Sequence, residues 1–368
     1  MKNFTLILIA FLITGCVTKP TPEAPEALDT PIVSITTKSK LQKVSFNELP
    51  SYYKNDFDQL LELFIQDCRS SKTQRLYKKA CKKAKTAVIA DSFFKKNFQP
   101  YKLINSKGSD QGLLTGYYEP TLYGSRTKTK HYKYPIYAEP EDLVTVSLSS
   151  VYPELKGKRL RGRVVGNKLI PYFQRSCIDD CDAKVIAYVD DKVDLFFLEV
   201  QGSGKVILDD GSELYVGYTN QNGHPYKSIG KYLINIGAIK RKDVSLQSIK
   251  TWLNENPTRV NEVLHANPSV VFFTENNTKA TGALGIELSP TNSIAVDPRV
   301  IPLGSLVYIS TTDPVTSKPI EKLVFAQDTG GAIKGEIRAD FFWGAGDIAA
   351  IKAGAMKQKF KMWLMLPN

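Results

Sequence analysis

Residues 324–346 read VFAQDTGGAIKGEIRADFFWGAG, and the reading of this stretch sets the reading of the rest. An apolar run, Leu323-Val324-Phe325-Ala326, leads through Gln327 and Asp328 into Thr329-Gly330-Gly331. That is the pattern of a buried strand running into a turn, because paired glycines permit positive φ and close backbone approach. A second, aromatic-rich strand, Ile337-Arg338-Ala339-Asp340-Phe341-Phe342-Trp343, ends at Gly344. Joined by a loop containing Lys334 and Gly335, the two strands would bring Asp328 and Asp340 together. A carboxyl group among Phe341, Phe342 and Trp343 loses solvation, which raises its pKa toward the range of a general acid. The competing reading makes both aspartates turn formers satisfied by backbone N–H groups.

Short strands broken by glycine or proline surround this stretch: Ile294–Val296, Leu306–Ile309, Leu323–Ala326 and Ile337–Phe341. The cadence predicts a small closed barrel, with a last helix capped by Asp347 and a last strand over Met362–Leu366. Asp297, Asp328 and Asp340 each end or interrupt a strand, so they can converge at one mouth of such a barrel.

Upstream, Ser45 to about Phe98 is helical in pattern. Ser45 and Glu48 have capping-box spacing, and Phe57, Leu60, Leu61, Phe64 and Cys68 recur at three- and four-residue intervals. A second helix follows around Leu76, Ala80, Ala84, Ala87 and Val88, and Asp91 is placed to cap a third. From Gly112 strands dominate: Gly112–Pro120, Arg161–Pro171, Val185–Val189, Leu195–Gln201, and a hairpin of Lys205–Leu208 with Leu214–Tyr218 about Asp210-Gly211. Helices return over Tyr226–Ile236, Ser245–Asn254 and Thr258–His265.

A chain of 368 residues with 42% hydrophobic content can hold two domains with real cores. Residues 1–15 read as a targeting signal: Lys2 is a short positive region, and Phe4–Ile13 is an apolar run too short to anchor in a bilayer. Leu12-Ile13-Thr14-Gly15-Cys16 resembles the bacterial lipobox, which implies cleavage before Cys16 and lipidation of that residue. Val17 stands where an aspartate would direct retention in the inner membrane, so the expectation is an outer-membrane lipoprotein facing the periplasm. Residues 16–40 are rich in Pro, Thr and Ala without a period, as in an extended tether.

The other cysteines, Cys68, Cys81, Cys177 and Cys181, are even in number in a chain bound for an oxidising compartment. Local pairing would give Cys68–Cys81 and Cys177–Cys181, although spacing alone does not decide it. The three histidines, His131, His224 and His265, do not stand near a Cys-x-x-Cys pattern, so no metal is expected.

A net charge of +12 outside the cytoplasm points to an anionic polymer or surface. No helix-turn-helix, zinc finger or RNP-like motif accompanies that charge, and no nucleic-acid partner is expected. Thr329-Gly330-Gly331 lacks the phosphate-loop pattern, and Gly202-Ser203-Gly204 is not a nucleophile elbow. Aromatics and carboxylates without a histidine, cysteine or metal favour glycoside chemistry, in which sugars stack on rings and a protonated carboxyl group attacks the bridging oxygen. No cofactor is expected.

Several ordered motifs carry a family resemblance. Ala295-Val296-Asp297-Pro298, Ile301-Pro302-Leu303-Gly304, Asp328–Gly335 and Ala339-Asp340 resemble the three-aspartate 3D domain, a double-psi β-barrel. Leu114–Pro120, Tyr134–Tyr137, Ile170-Pro171-Tyr172, Ala187–Asp191, Gln201–Gly204 and Asn267-Pro268-Ser269 resemble the membrane-bound lytic murein transglycosylase A family.

The resemblance implies a mainly β fold with helices (α+β): a double-psi barrel over 41–115 and 257–368, and an inserted smaller β-domain over 116–256. The glycan would lie in the groove between them. It implies non-hydrolytic cleavage of the β-1,4 bond between N-acetylmuramic acid and N-acetylglucosamine in peptidoglycan, leaving 1,6-anhydro ends. Asp340 would be the single acid/base, Asp328 would orient or tune it, and Asp297 would be structural. Lys334 would contact substrate or hold Asp328 ionised. Tyr117, Tyr118, Glu119, Gln201, Ser203, Gly204, Gly330 and Gly331 would line the groove.

The implied partners are peptidoglycan strands, the lipid anchor and a cell-wall remodelling complex. The sequence departs from the family pattern at Glu199, where a neutral residue is more usual, and Cys177 and Cys181 are a local addition. An inverting hydrolase on the same barrel and a non-catalytic wall-binding lipoprotein are the rival readings.

Overall fold

A computed structural model describes residues 39–155, 158, 160–276 and 280–368. The signal over 1–15, Cys16 and nearly all of the 16–40 tether lie outside the described residues.

Six strands close a ring: Lys357–Pro367, Leu306–Thr312, Pro319–Asp328, Ser293–Val296, Arg338–Ala345 and Gly112–Glu119, the last pairing back onto the first. Ser293–Val296 runs parallel to Pro319–Asp328, and Arg338–Ala345 runs parallel to Gly112–Glu119. Side-chain alternation builds the core. Val307, Ile309, Val324, Ala326, Ala339, Phe341, Met362 and Leu364 fill one face. On three of these strands the alternate residues, Leu306, Tyr308, Leu323, Phe325, Trp363 and Met365, are buried as well, in a cluster shared with Leu60, Phe64, Tyr77 and Phe94 of the N-terminal helices. A strand covered on both faces must be apolar throughout, which explains the unbroken run from Leu323 to Ala326.

The covering helices are Phe57–Asp67, Ser71–Ala84 and Ala90–Asn97. A disulfide joins Cys68 to Cys81 across the first two. The Ser45/Glu48 capping box opens only the short turn Phe46–Glu48, because Pro50 follows and proline disfavours helix in the residue before it. Asp56 caps the first long helix instead, accepting from the Gln59 N–H at 3.1 Å. Asp91 lies inside its helix and pairs with Lys95, while Ile89 holds the cap position. Likewise Gly346 precedes the Asp347–Ala355 helix, and Asp347 is its first residue.

At Pro120 the chain leaves the barrel for a second, six-stranded sheet. Its order is Val271–Asn276, Glu213–Gln221, Ser203–Leu208, Thr121–Ser125, Val185–Val189 and Tyr134–Tyr137. This sheet therefore spans Thr121 to Asn276, and Gly116–Glu119 stays in the barrel. The segment expected as one strand over Arg161–Pro171 is a hairpin, Leu160–Val165 with Lys168–Pro171, turned at Gly166 with φ +60°.

Leu195–Gln201, expected as a strand, is the end of a helix over Lys192–Gln201. A short apolar run does not separate the two states by periodicity. The caps separate them: the Asp191 carboxylate accepts from the Val193 and Asp194 N–H groups, and Gly202 stops the helix with φ +84°. Val193, Phe196 and Phe197 then share one buried face against Ile229, Leu233, Leu253 and Leu264. Glu199 has a physical account too. It makes a bidentate pair with Arg175, both contacts 2.8 Å, and accepts the Val271 N–H at 3.0 Å. Cys177 and Cys181, expected to pair, are free thiols, the first exposed and the second half-buried. Cys177 lies within the short helix Arg175–Asp180, and Cys181 is the residue that caps its end.

Candidate active site

Register across the barrel places four residues in one row: Asp328, Ala295, Asp340 and Thr115. The first three are adjacent only because the pairing shifts by one residue between Ile294 and Ala295. Two strand spacings put the aspartate backbones about 10 Å apart.

Asp340 shares its strand face with Phe342, which packs with Tyr117 and Ala295. Its neighbours Phe341 and Trp343 point to the other face and into the barrel core cluster, so they are not the walls of the acid's site that the sequence suggested. Thr115 Oγ1 donates to Asp340 Oδ1 at 2.5 Å, and itself accepts from Arg338 Nη2 at 2.9 Å. Burial pushes the Asp340 carboxyl up to about 6, against the pull of the Thr115 hydrogen bond and the Arg338 charge, while Asp328 adds to the rise. Asp328 Oδ1 accepts from the Ala283 N–H at 3.0 Å and the Thr329 N–H at 2.8 Å. Burial raises Asp328 as well, although those donors oppose it. Both carboxyl groups are thus raised by burial, and the charge of Asp328 raises Asp340 further. Near neutral pH such a site can give and take one proton.

Tyr117 is buried with its ring 5.1 Å from that of Phe342. Its hydroxyl lies close enough to feel both carboxylates, yet makes no hydrogen bond of normal geometry. Tyr118 packs on Ala349 and Ala353, and its N–H donates to Gln201 Oε1 at 3.1 Å. Glu119 is buried and accepts from the Ala280 N–H. Gln201 is the last helical residue before Gly202, and Ser203 opens the next strand, half-exposed. Gly204 is buried where a Cβ would stand 2.4 Å from Leu198 Cδ1, which requires glycine for close packing.

Gly330 lies over Ile333, and Gly331 is in open space. Asp297, buried, accepts from Arg299 Nε at 2.9 Å and Nη2 at 2.6 Å, and from the Gly335 N–H at 3.0 Å. The Arg299 hydrogen bonds hold its carboxyl down to about 2. It thereby pins the loop that links the two acids. Lys334 is exposed, and no hydrogen bond or ion pair joins it to Asp328 among the described residues.

Thr115, Arg338 and Ala283 were missed as site residues. The one local signal was a polar Thr115 within Leu114-Thr115-Gly116, which does not name its partner 225 residues away.

Comparison with known proteins places this geometry. A family model described as the MltA specific insert domain matches residues 113–274, and one described as the 3D domain matches residues 292–366. Membrane-bound lytic murein transglycosylase A of Escherichia coli (strain K12) is 32% identical over 260 residues, 68% of this chain and 65% of that relative. The homolog from Buchnera aphidicola is 32% identical over 280 residues, 72% of this chain and 69% of its own length. The crystal structure of MltA from Neisseria gonorrhoeae in its monoclinic form matches with a TM-score of 0.80 at 34% identity, covering 90% of this chain and 94% of that one.

The chain belongs to the membrane-bound lytic murein transglycosylase A family.

It spans about two-thirds of the curated E. coli relative, 65% of that length. The two matched segments meet the architecture as described: the 3D match covers five of the six barrel strands, and the insert match covers the second sheet together with the Gly112–Glu119 strand that carries Thr115 and Tyr117. In this member of the transglycosylase family, Asp340 and its hydroxyl donor therefore come from different matched segments.

Proposed function

We propose that the chain is a lytic transglycosylase that cleaves the β-1,4 bond between N-acetylmuramic acid and N-acetylglucosamine without water, leaving 1,6-anhydro ends. The observation that carries this reading is Asp340, a carboxyl group raised to about 6 and oriented by Thr115 at 2.5 Å. Protonated Asp340 gives its proton to the bridging oxygen as the bond to C1 breaks. The same carboxylate then takes the proton of the sugar's C6 hydroxyl while O6 bonds to C1. One group serves both halves, so its pKa must lie near the working pH. The attacking hydroxyl belongs to the same sugar, and this removes the entropy cost of capturing a water.

Asp328 tunes Asp340 through its charge, and Asp297 holds the linking loop. The glycan lies in the groove between the barrel and the insert sheet, against Gln201, Ser203, Gly330 and Gly331, with the Tyr117–Glu119 strand as its floor. Lipidated Cys16 at the outer membrane and the 16–40 tether present the enzyme to the wall from the periplasmic side.

The test is mass spectrometry of purified murein sacculi digested by the form lacking residues 1–16, beside Asp340→Asn. The expected products are muropeptides lighter than their borohydride-reduced counterparts by one water and two hydrogens, and absent with the variant. Reducible ends would make the enzyme a hydrolase. Sedimentation with sacculi and no cleavage would make it a binding protein.

A further inference from the structure

Tyr117 carries a donor that the site as described does not use. Its hydroxyl is closed to solvent and has no hydrogen-bond partner of normal geometry among the described residues. Buried hydroxyls are nearly always paired, so an idle one calls for a reason. Strand alternation puts Tyr117 on the same face as Thr115, and parallel pairing sets it beside Phe342, two residues beyond Asp340. Its ring packs in an apolar cluster with Phe342, Ala280, Leu288, Ile333 and the Ala295 that stands between the two acids.

Few charged groups reach this hydroxyl. Asp328 acts on it more strongly than Asp340 does. Arg338 faces Asp340, Glu119 is engaged by the Ala280 N–H, and Lys334 is exposed. The two backbone donors on Asp328, from Ala283 and Thr329, both go to Oδ1. Among the described residues its Oδ2 accepts no hydrogen bond of normal geometry, and the Tyr117 hydroxyl is near enough to oppose the rise of its pKa. A donor without an acceptor therefore adjoins a carboxylate oxygen without a donor. Contact with a sugar would need an open hydroxyl, and this one is closed.

We infer that Tyr117 is a positioning residue: its hydroxyl donates to Oδ2 of ionised Asp328 and holds there the negative charge that keeps Asp340 protonated. A hydrogen bond to the charged form favours that form, and a carboxylate beside a second carboxyl group keeps the proton on the second. Thr115 and Tyr117, two residues apart on one strand, thus act in opposite senses, the first favouring ionised Asp340 and the second protonated Asp340. The role of Asp340 as acid/base rests on the murein reading, whereas the coupling of the three side chains does not.

The test is a pH titration of aspartate carboxyl groups by 13C NMR in the form lacking residues 1–16, with Asp328 and Asp340 assigned by Asn substitution. In Tyr117→Phe the Asp328 titration should move up by about 1–2 pH units and that of Asp340 down by about 0.5–1. The alkaline limb of murein turnover should move down with Asp340, the reverse of the shift expected when the Thr115 hydroxyl is lost. Asp328→Asn alone should lower Asp340 at least as far, and adding Tyr117→Phe to it should move Asp340 no further. Unmoved titrations, an upward shift of Asp340, or a Tyr117→Phe effect that persists without the Asp328 charge would overturn the inference. Titrations that move as expected in a protein that does not cleave murein would uphold it and reject the murein reading.

Discussion

Asp328 and Asp340 stand on either side of Ala295, one strand apart in a single row across the barrel. Neither is the other's hydrogen-bond partner. Asp328 is held by two backbone N–H groups and Asp340 by a threonine hydroxyl, so each can change charge without the other's geometry collapsing.

Asp340→Asn should abolish turnover, since loss of a general acid/base costs about 10²–10⁴-fold and no second catalyst stands in. It should also stabilise the protein. The folded carboxyl titrates at about 6 against 3.8 when unfolded. Between those values the folded state holds a proton that the unfolded state has released, so wild-type stability falls as pH rises through the window. Above pH 6 the whole deficit, of order 1–3 kcal/mol, is present. Thermal melts at pH 7.5 should favour the variant, and the gap should close near pH 4. A variant less stable at pH 7.5 would contradict the raised pKa.

Thr115→Val removes the hydroxyl that favours ionised Asp340. The alkaline limb of the pH–rate profile, where Asp340 loses the proton it must donate, should move upward, by about 0.5–1.5 pH units for loss of a hydrogen bond to a charged group worth about 1–2 kcal/mol. A simple fall in kcat with an unmoved profile would show that Thr115 does not tune the acid.

Asp67 is fully buried, with one oxygen bonded to Gln327 Nε2 at 2.6 Å and the other unpartnered. Burial raises it to about 7. The sign is as for Asp340: stability is lost as pH rises from about 4 toward 7. Asp67→Asn should be more stable at pH 8, by up to about 4 kcal/mol, with little difference at pH 4. Denaturant titrations at the two pH values measure it.

The Cys68–Cys81 disulfide should contribute about 3 kcal/mol by constraining the unfolded chain, measurable as the loss in Cys68→Ser with Cys81→Ser. Without denaturant, a thiol reagent should label exposed Cys177 quickly. Cys181 should react slowly, because it is half-buried and its thiol is pushed up to about 11.

Gly204→Ala should cost about 1–3 kcal/mol, because the added methyl meets Leu198, itself fully buried, and the Pro120 carbonyl at 2.9 Å. If Gly204 instead served mainly to admit substrate, stability would hold while KM rose.

Local signals in the sequence carried much of this. The N-terminal helices, the Asp210-Gly211 hairpin and the short barrel strands were legible because hydrophobic period and turn residues act over a few positions. Caps were read less well: Asp91 and Asp347 each lost the expected role to a residue just before them, and the Ser45/Glu48 capping box formed but opened only a short turn.

By itself, then, the sequence determined the strands that carry Asp328 and Asp340, the one that runs into Asp297, and the helices that cover the barrel. Tertiary structure decided the rest. Whether Leu195–Gln201 was helix or strand depended on burying Phe196 and Phe197 against helices more than 30 residues on. Which residues stand beside Asp340 depended on ring closure, which set Thr115 and Ala295 at its sides and turned Phe341 and Trp343 away. Register between distant strands is fixed by the shared core, and a neighbour in sequence on a strand is by geometry on the opposite face.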